Sequence, residues 1–269
     1  MSTQKELAYR YDLFITPEWR DRFDALINEK ALIAVEGRIL DVNTGTGSHA
    51  IELATKLKGR GEVIGVDPDP ERLEIARAKA LVKKAEAVSF QQATATALPF
   101  GEGEFDAVIG DASLAPSGQV GEVLSEMLRV AKPGAKVVLK VATWGSFDEF
   151  FSIYWEALLG LGIVEEVWTS LEALIKERPT VSDAVEHAKK IGLRKAESVS
   201  SREEFAFESG SAFLESPLVR DTFLTTWLSI IPEEQRGEVS GRIASIIDRE
   251  RSGLPFEVSI KATLVHGVR

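Results

Sequence analysis

Between Gly37 and Thr143, short runs of β-branched and aliphatic residues alternate with longer amphipathic stretches. The apolar runs predict strands at 38–42, 62–66, 87–91, 105–110 and 135–141, and the helical spacing of apolar positions between them predicts helices at 48–58, 71–84 and 118–131. The strand interiors are rich in Val and Ile and show no polar alternation, as expected for a parallel sheet buried on both faces by helices. Ahead of this region, Tyr9, Tyr11, Phe14, Trp19 and Phe23 stand among charges. Pro17 after Thr16 predicts a helix start, from which Trp19, Phe23, Leu26 and Ile27 keep helical spacing. Residues 1–36 therefore read either as a helix packed on the sheet or as a flap over a ligand.

After Thr143 the pattern changes. Segment 144–177 predicts two helices split by Gly160-Leu161-Gly162, and 180–192 predicts another helix ended by Gly192. Arg194 to Phe207 predicts a strand interrupted by the charged Arg202-Glu203-Glu204. Segment 211–252 is helical, with Pro232 opening a helix that carries Val239, Ile243, Ile246 and Ile247 on one face. Glu257 to Gly267 alternates as a final strand. All five Trp and all three Tyr lie outside 37–143, so the alternating region builds its core from aliphatics and the later segments from aromatics.

The 269 residues suit one α/β domain with insertions. A formal charge of −10 without a long basic run disfavours nucleic acid as a partner. The chain has no cysteine, which removes disulfides and thiolate zinc sites, and its three histidines are widely spaced, so no metal site is expected. No apolar stretch approaches ~20 residues, so no membrane span is expected, and the N-terminus lacks a secretory pattern. A cytoplasmic protein is the expectation; oligomeric state is left open.

The chemistry gathers at Ile39-Leu40-Asp41-Val42-Asn43-Thr44-Gly45-Thr46-Gly47, an apolar run that meets a carboxylate and a glycine turn before the helix from Ser48. Ser48 is expected to cap that helix, and Gly59 and Gly61 to stop it. Gly45 to Ala50 also satisfies the G-x-G-x-x-A pattern of dinucleotide binders, with Asp67 at about the ~20-residue spacing of a ribose-binding acid. Asp41 argues against a pyrophosphate, because a carboxylate beside the turn repels phosphates and favours a ligand bearing an ammonium and a sulfonium. S-adenosylmethionine (SAM) is such a ligand.

Here the chain resembles the class I SAM-dependent methyltransferases, especially the ubiquinone/menaquinone C-methyltransferase branch. Four blocks carry the resemblance: the run 39–47; Val63-Ile64-Gly65-Val66-Asp67-Pro68-Asp69-Pro70; Ala97-Leu98-Pro99-Phe100 followed by Phe105-Asp106-Ala107-Val108-Ile109; and Met127-Leu128-Arg129-Val130-Ala131-Lys132-Pro133-Gly134-Ala135. The resemblance implies an α/β fold, a Rossmann-like, mostly parallel sheet with helices on both faces. The SAM-binding domain would span 37–269, with helical cap insertions at about 144–178, after strand five, and 209–254, between the last two strands. In the family the last two strands form an antiparallel hairpin; here roughly fifty residues separate them.

For the site, the resemblance implies that Asp41 holds the methionine ammonium, while Gly45 and Gly47 let the backbone pass close under the cofactor. Asn43 replaces the family's first glycine, in a turn that Asn tolerates. Asp67 would accept both ribose hydroxyls, with Pro68 beside the adenine and Thr94 and the Ala95 N–H toward its edge. The alternatives are a turn-stabilising acid at Asp41, a plain tight turn at the glycines and a helix cap at Asp67. Asp111 is either a cofactor or substrate contact or a surface acid. No catalytic residue is assigned. His49 and His187 are candidate bases on residue type alone, with solvent-exposed helix histidine as the default. The aromatics Trp144, Phe147, Phe151, Tyr154, Phe213 and Trp227 are either walls of an apolar acceptor pocket or glue within the cap. The expected activity is methyl transfer to a small or medium apolar acceptor by direct displacement. Its rivals are a SAM-binding protein without turnover and an NAD(P)-dependent oxidoreductase.

Overall fold

Thr3 opens the first helix with a reciprocal cap: its hydroxyl accepts the Glu6 N–H at 3.2 Å and the Glu6 carboxylate accepts the Thr3 N–H at 2.8 Å. The structure, a computed structural model, describes residues 2–30 and 36–269. Helix α1 (Gln4–Arg10) runs into a π-helical segment (Tyr11–Arg20) and then α2 (Asp21–Lys30). Pro17 does not start a helix; it lies inside the π-helical segment. There the Asp21 N–H reaches back five residues to the Thr16 carbonyl, and this wider turn tolerates a ring that an α-helix interior rejects. Residues 1 and 31–35 of the expected flap lie outside the described residues.

The alternating region follows as β1 (Gly37–Val42), α3 (Ser48–Leu57), β2 (Gly61–Asp67), α4 (Pro70–Val82), β3 (Val88–Gln92), β4 (Phe105–Asp111), α5 (Ser117–Val130) and β5 (Ala131–Thr143). Ser48 does not cap α3. Gly47 holds that position in a left-handed conformation, and Ser48 Oγ instead accepts from Lys79 Nζ at 2.8 Å. Beyond Thr143 come α6 (Asp148–Gly160), α7 (Val164–Ile175), α8 (Val181–Lys190), β6 (Arg194–Phe207), α9 (Gly210–Glu215), α10 (Pro217–Thr222), α11 (Leu224–Trp227), α12 (Arg236–Glu250) and β7 (Phe256–Val268). The charged Arg202-Glu203-Glu204 does not interrupt β6. The strand ends the sheet, where charges are tolerated along an open edge, and Arg202 pairs with Glu149 at 3.1 Å. Pro232 precedes a short 3-10 turn (Glu233–Gln235), and α12 begins only at Arg236.

The seven strands lie in the order β3-β2-β1-β4-β5-β7-β6. β1 pairs in parallel with β2 and β4, β2 with β3, and β4 with β5. Gly134 donates to Arg269 at one end of β5 and Thr143 to Lys261 at the other, so β7 runs antiparallel to β5. β3, at the opposite edge, is half exposed and lacks the continuous burial expected of it.

The chain forms two compact units, one of residues 1–142, 180–201 and 262–269, the other of 143–179 and 202–261. In the first unit, alternate strand residues enter two cores. Leu40, Val42, Val66, Val108 and Leu139 pack with Leu124 and Met127 of α5 and Ala184 of α8. Ile39, Val63, Ala107, Ile109 and Val138 pack with Ile27 of α2 and Leu53 and Leu57 of α3. Helices therefore cover both faces of the sheet. The second unit is held by aromatics: Phe150 stacks on Trp227 at 4.1 Å between ring centroids and lies 5.5 Å from Phe213. Gly210 lets α9 meet the backbone of α12, since a Cβ there would lie 2.4 Å from the Ala244 carbonyl oxygen.

That contact gives a test of the second unit. Gly210→Ala must push two backbones apart, and urea denaturation is expected to show a loss of about 1–3 kcal/mol; unchanged stability would mean that α9 shifts freely.

Candidate functional site

The site grows from the carboxyl ends of adjacent parallel strands in the first unit, where open α/β sheets place their ligands. β1, β2 and β4 bring Asp41, Asp67 and Asp111 there, all buried. Behind β1 the chain turns through Asn43, Gly45 and Gly47, all at positive φ (55°, 61° and 76°). Asn43 adopts the left-handed conformation expected of it, and its side-chain amide donates to the Asp111 carbonyl at 2.7 Å. A Cβ on Gly47 would lie 2.7 Å from the Phe90 ring and 2.8 Å from Ala76. Packing under the turn therefore already demands glycine at 47. Gly45 faces the N-terminal segment: a Cβ there would meet the Tyr11 ring at 3.0 Å and Arg20 at 3.2 Å.

Asp41 accepts from Thr44 Oγ1 at 2.6 Å through one oxygen, while its Oδ1 is buried without a hydrogen-bond partner. His49 Nδ1 lies 3.7 Å from that oxygen and 3.7 Å from Asp24 Oδ1, beyond hydrogen-bonding distance. His49 is thus a buried histidine, correcting the solvent-exposed default, whereas His187 is exposed. Asp111 is likewise no surface acid. It accepts from the Ser113 N–H at 2.9 Å and hydroxyl at 2.6 Å, and its other oxygen lies 3.4 Å from both Arg20 and Lys140. Asp67 accepts the N–H groups of Gly45 at 2.8 Å and Asp69 at 3.0 Å, which ties the glycine turn to the end of β2. The helix cap for α4 is Asp69, not Asp67.

Three cofactor candidates lie farther out. Pro68 is exposed and its carbonyl accepts from the Gln92 side chain at 3.0 Å. Thr94 is exposed and turns back to bridge Ala97, while the Ala95 side chain is buried in the core beside α5. In the second unit, Phe147, Phe151, Tyr154, Phe213 and Trp227 are buried together, and the Tyr154 hydroxyl donates to the Trp227 carbonyl at 2.8 Å. Trp144 stands apart, 51% exposed.

Sequence reasoning missed Tyr11, Arg20, Asp24 and Lys140. Arg20 donates to the Tyr11 hydroxyl at 2.9 Å, but its Nη2 is buried with no hydrogen bond. Lys140, fully buried within β5, donates to Asp24 Oδ1 at 2.6 Å. A lone lysine in the apolar run Val137-Val138-Leu139-Lys140-Val141 was the one visible signal. A groove of about 850 Å³ between α2 and α3 is lined by Asp24, Asn28, Ser48, His49 and Glu52.

These charges set one another's titration. Burial would raise the Asp41 acid, but the His49 ring, the Lys140 ammonium and the Thr44 hydroxyl outweigh it and hold it at about 2. Burial acts the same way on Asp111, and Lys140 and Arg20 overcome it, so that acid also stays low. Burial would lower Lys140, yet Asp24 and Asp111 raise it. At Asp67 burial prevails over Arg72 and the two N–H groups, and the acid is raised.

Three comparisons with known proteins bear on the site. Residues 33–143 match a family profile described as a methyltransferase domain. A demethylmenaquinone methyltransferase of Thermus thermophilus is 37% identical over 164 residues, covering 57% of this chain and 72% of that protein. A ubiquinone/menaquinone biosynthesis C-methyltransferase of a Geobacter species is 31% identical over 156 residues, covering 55% of this chain and 65% of its own length. Among solved structures, the YcgJ protein of Bacillus subtilis superposes with a TM-score of 0.61 at 21% identity, over 93% of this chain and 98% of that one, a likeness of fold.

Acid titration checks the electrostatics. The Asp41 carboxyl is depressed from 3.8 to about 2 in the folded protein. It therefore contributes stability above the unfolded value that is lost as pH falls through the folded one. Wild type is expected to lose on the order of 2 kcal/mol from this group between about pH 4 and 2. Urea denaturation of Asp41→Asn should show that portion of the pH dependence missing; identical profiles would remove Asp41 from the network.

Proposed function

This chain belongs to the class I SAM-dependent methyltransferases, and from that premise we propose that Asp41 and Arg20 grip the cofactor's amino-acid end while the chain methylates an apolar, ring-bearing acceptor. The observation that carries the assignment is a pair of buried atoms. Asp41 Oδ1 is an acceptor without a donor, and Arg20 Nη2 is a donor without a hydrogen-bonded acceptor. Buried polar atoms left unmatched are costly. An ammonium and a carboxylate, the two ends of a methionine moiety, answer them in kind. Charge supports the same ligand. Three carboxylates (Asp24, Asp41, Asp111) against two cations (Arg20, Lys140) leave a formal surplus of one negative charge, which suits a ligand of net positive charge and opposes the two phosphates of a dinucleotide.

When bound, SAM supplies a methyl group on a sulfonium, already a good leaving group. Binding, alignment and exclusion of water are then the protein's tasks. Asp67 is fixed by two N–H groups at the end of β2, and its remaining lone pairs are assigned to the ribose hydroxyls in the same proposal. Thr94 and Ala95, beyond β3, remain the proposed adenine edge, with Pro68 beside the ring. Because Asp41 is sealed from solvent, admission of the cofactor requires the Tyr11–Arg20 segment to lift from Gly45. Its π-helical bonding, weaker than an α-helix, suits it to that movement. No side chain is assigned as general base. The acceptor is carried over from the Thermus relative, whose name is demethylmenaquinone methyltransferase; the Geobacter relative's name adds that carbon is methylated. We assign the aromatic cluster of the second unit to the acceptor. A cytoplasmic setting belongs to the same proposal; no described helix is long and apolar enough to cross a membrane.

Calorimetry tests the grip. Asp41→Asn and Arg20→Met are each expected to weaken SAM by about tenfold to a hundredfold, the loss of a charge-assisted hydrogen bond, with adenosine scarcely affected. Equal losses for adenosine would make Asp41 a support of the turn. Tighter SAM binding by Arg20→Met would make Arg20 a latch that the cofactor only displaces.

Turnover tests the acceptor assignment. Phe151→Ala and Trp227→Ala are expected to depress methylation of a demethylmenaquinone analogue while SAM affinity stays within a few-fold. Truncating a buried aromatic also costs about 3–5 kcal/mol of stability, so the folded fraction is measured first. Folded variants that turn over at the wild-type rate would leave the aromatics as glue alone.

A further inference from the structure

Outside the charge cluster, the second unit holds a cation that, among the described residues, makes no ion pair at contact distance. Arg178, three residues after the end of α7, is partly buried. Its guanidinium sits 5.6 Å from the centroid of the Phe147 ring and 5.7 Å from that of Phe223. Among the described residues, no carboxylate pairs with it and no carbonyl accepts from it. Burial lowers its proton affinity, and only the neighbouring Glu177 acts against that. Two ring faces attract a guanidinium but use none of its five N–H donors. The donors therefore remain available on a side chain already partly stripped of water.

The backbone beside it is under strain. Phe147 takes φ +66°, a left-handed conformation that bulky side chains avoid, and holds it by donating its N–H to the Ser259 carbonyl at 2.7 Å. Strain of this kind persists where the surroundings fix a side chain for a purpose; here it turns the ring toward Arg178. The Trp144 N–H donates to the Pro179 carbonyl at 2.9 Å, so the chain leaving β5 is tied to the residue after Arg178. Trp144 itself stays exposed. Two aromatic rings and a guanidinium with unused donors thus meet within one unit.

We propose that Arg178, with Phe147 and Phe223, forms an anion-recognition site for a flat apolar molecule bearing a single oxyanion, a carboxylate or an ionised ring hydroxyl. Bidentate pairing of guanidinium with a carboxylate supplies direction, and the rings supply apolar contact. As the identity of the methyl acceptor, this deepens the proposed function: the acceptor carries a negative charge beside its ring, which Arg178 orients. As a binding site it does not depend on SAM.

The test uses 1-naphthoate and its neutral counterpart 1-naphthamide, titrated into the full chain without SAM and followed by tryptophan fluorescence. Trp227 stacks on Phe223 at 5.3 Å and reports on the site. Wild type is expected to prefer naphthoate by about tenfold, as a charge-assisted pair allows. Arg178→Gln should bring the two probes to within about twofold, and Arg178→Lys should retain part of the preference as a point charge without the fork. An undiminished preference in Arg178→Gln, equal binding of both probes to wild type, or no binding of either at millimolar concentration would each overturn the proposal. SAM affinity, measured on the same variants, should be unchanged. Failure of SAM binding in wild type would strike the methyltransferase assignment and leave this one standing.

Discussion

Five buried charges hold the ligand-binding end of the sheet in place. Lys140 meets Asp24 at 2.6 Å and Asp111 at 3.4 Å, Arg20 meets Asp111 at 3.4 Å, and Asp41 acts on both cations through its charge. Isolated, any one of these groups would cost several kcal/mol to bury; together their mutual attraction offsets that cost. They also come from distant parts of the chain. Lys140 enters from β5, Asp41 and Asp111 from β1 and β4, and Arg20 and Asp24 from the N-terminal segment. The N-terminal segment is therefore a structural member of the site, since lifting it removes one carboxylate and one cation.

Hydrogen bonds extend this dependence. Trp19 Nε1 donates to Ser113 Oγ at 2.8 Å, and that hydroxyl donates to Asp111 at 2.6 Å. Thr46 of the glycine turn donates to Asp12 at 2.6 Å, which also takes Lys79 at 2.5 Å. The turn is thereby fastened from above by the N-terminal segment and from below by Phe90 and Ala76. Such a closed arrangement excludes water from Asp41, and a pair with little water near it is stronger than the same pair in solvent. The bonds of Trp19 and Asp12 join the N-terminal segment to the sheet's ligand end, so the segment and the turn are held as one arrangement.

Much of the fold was legible because it rests on local periodicity. The strands read at 38–42, 62–66 and 105–110 emerge within a residue at either end, since parallel strands buried on both faces need uninterrupted apolar runs. Asn43 was legible for a similar reason: the turn needs a left-handed residue and Asn is the side chain that accepts it. The misreadings share one cause. Pro17, Ser48 and Arg202 were judged by local rules, and each was overridden by tertiary context: a wider helical turn, a lysine from α4 and an exposed sheet edge. Arg20 and Asp24 were invisible for the same reason. Nothing within the first thirty residues shows that their partners lie about twenty to a hundred and twenty positions away.

The two units divide the chemistry as the composition divides the residues. The first is poor in aromatics and builds its ligand end from paired charges with an acidic surplus. The second is rich in aromatics and sets the Arg178 guanidinium beside two of their rings. Methyl transfer asks for both kinds of surface, because the cofactor is small, charged and cationic whereas an apolar acceptor offers mainly ring faces to hold. A single core does not supply both cheaply: stacked aromatics fill volume but satisfy few hydrogen bonds, and paired charges satisfy many but demand fixed geometry. Built as separately packed units, the charge network and the stacked rings each keep the kind of core they need. The long separation of β6 from β7, about fifty residues where the family has a hairpin, is where the chain places α9 to α12, whose Phe213 and Trp227 join the aromatic core.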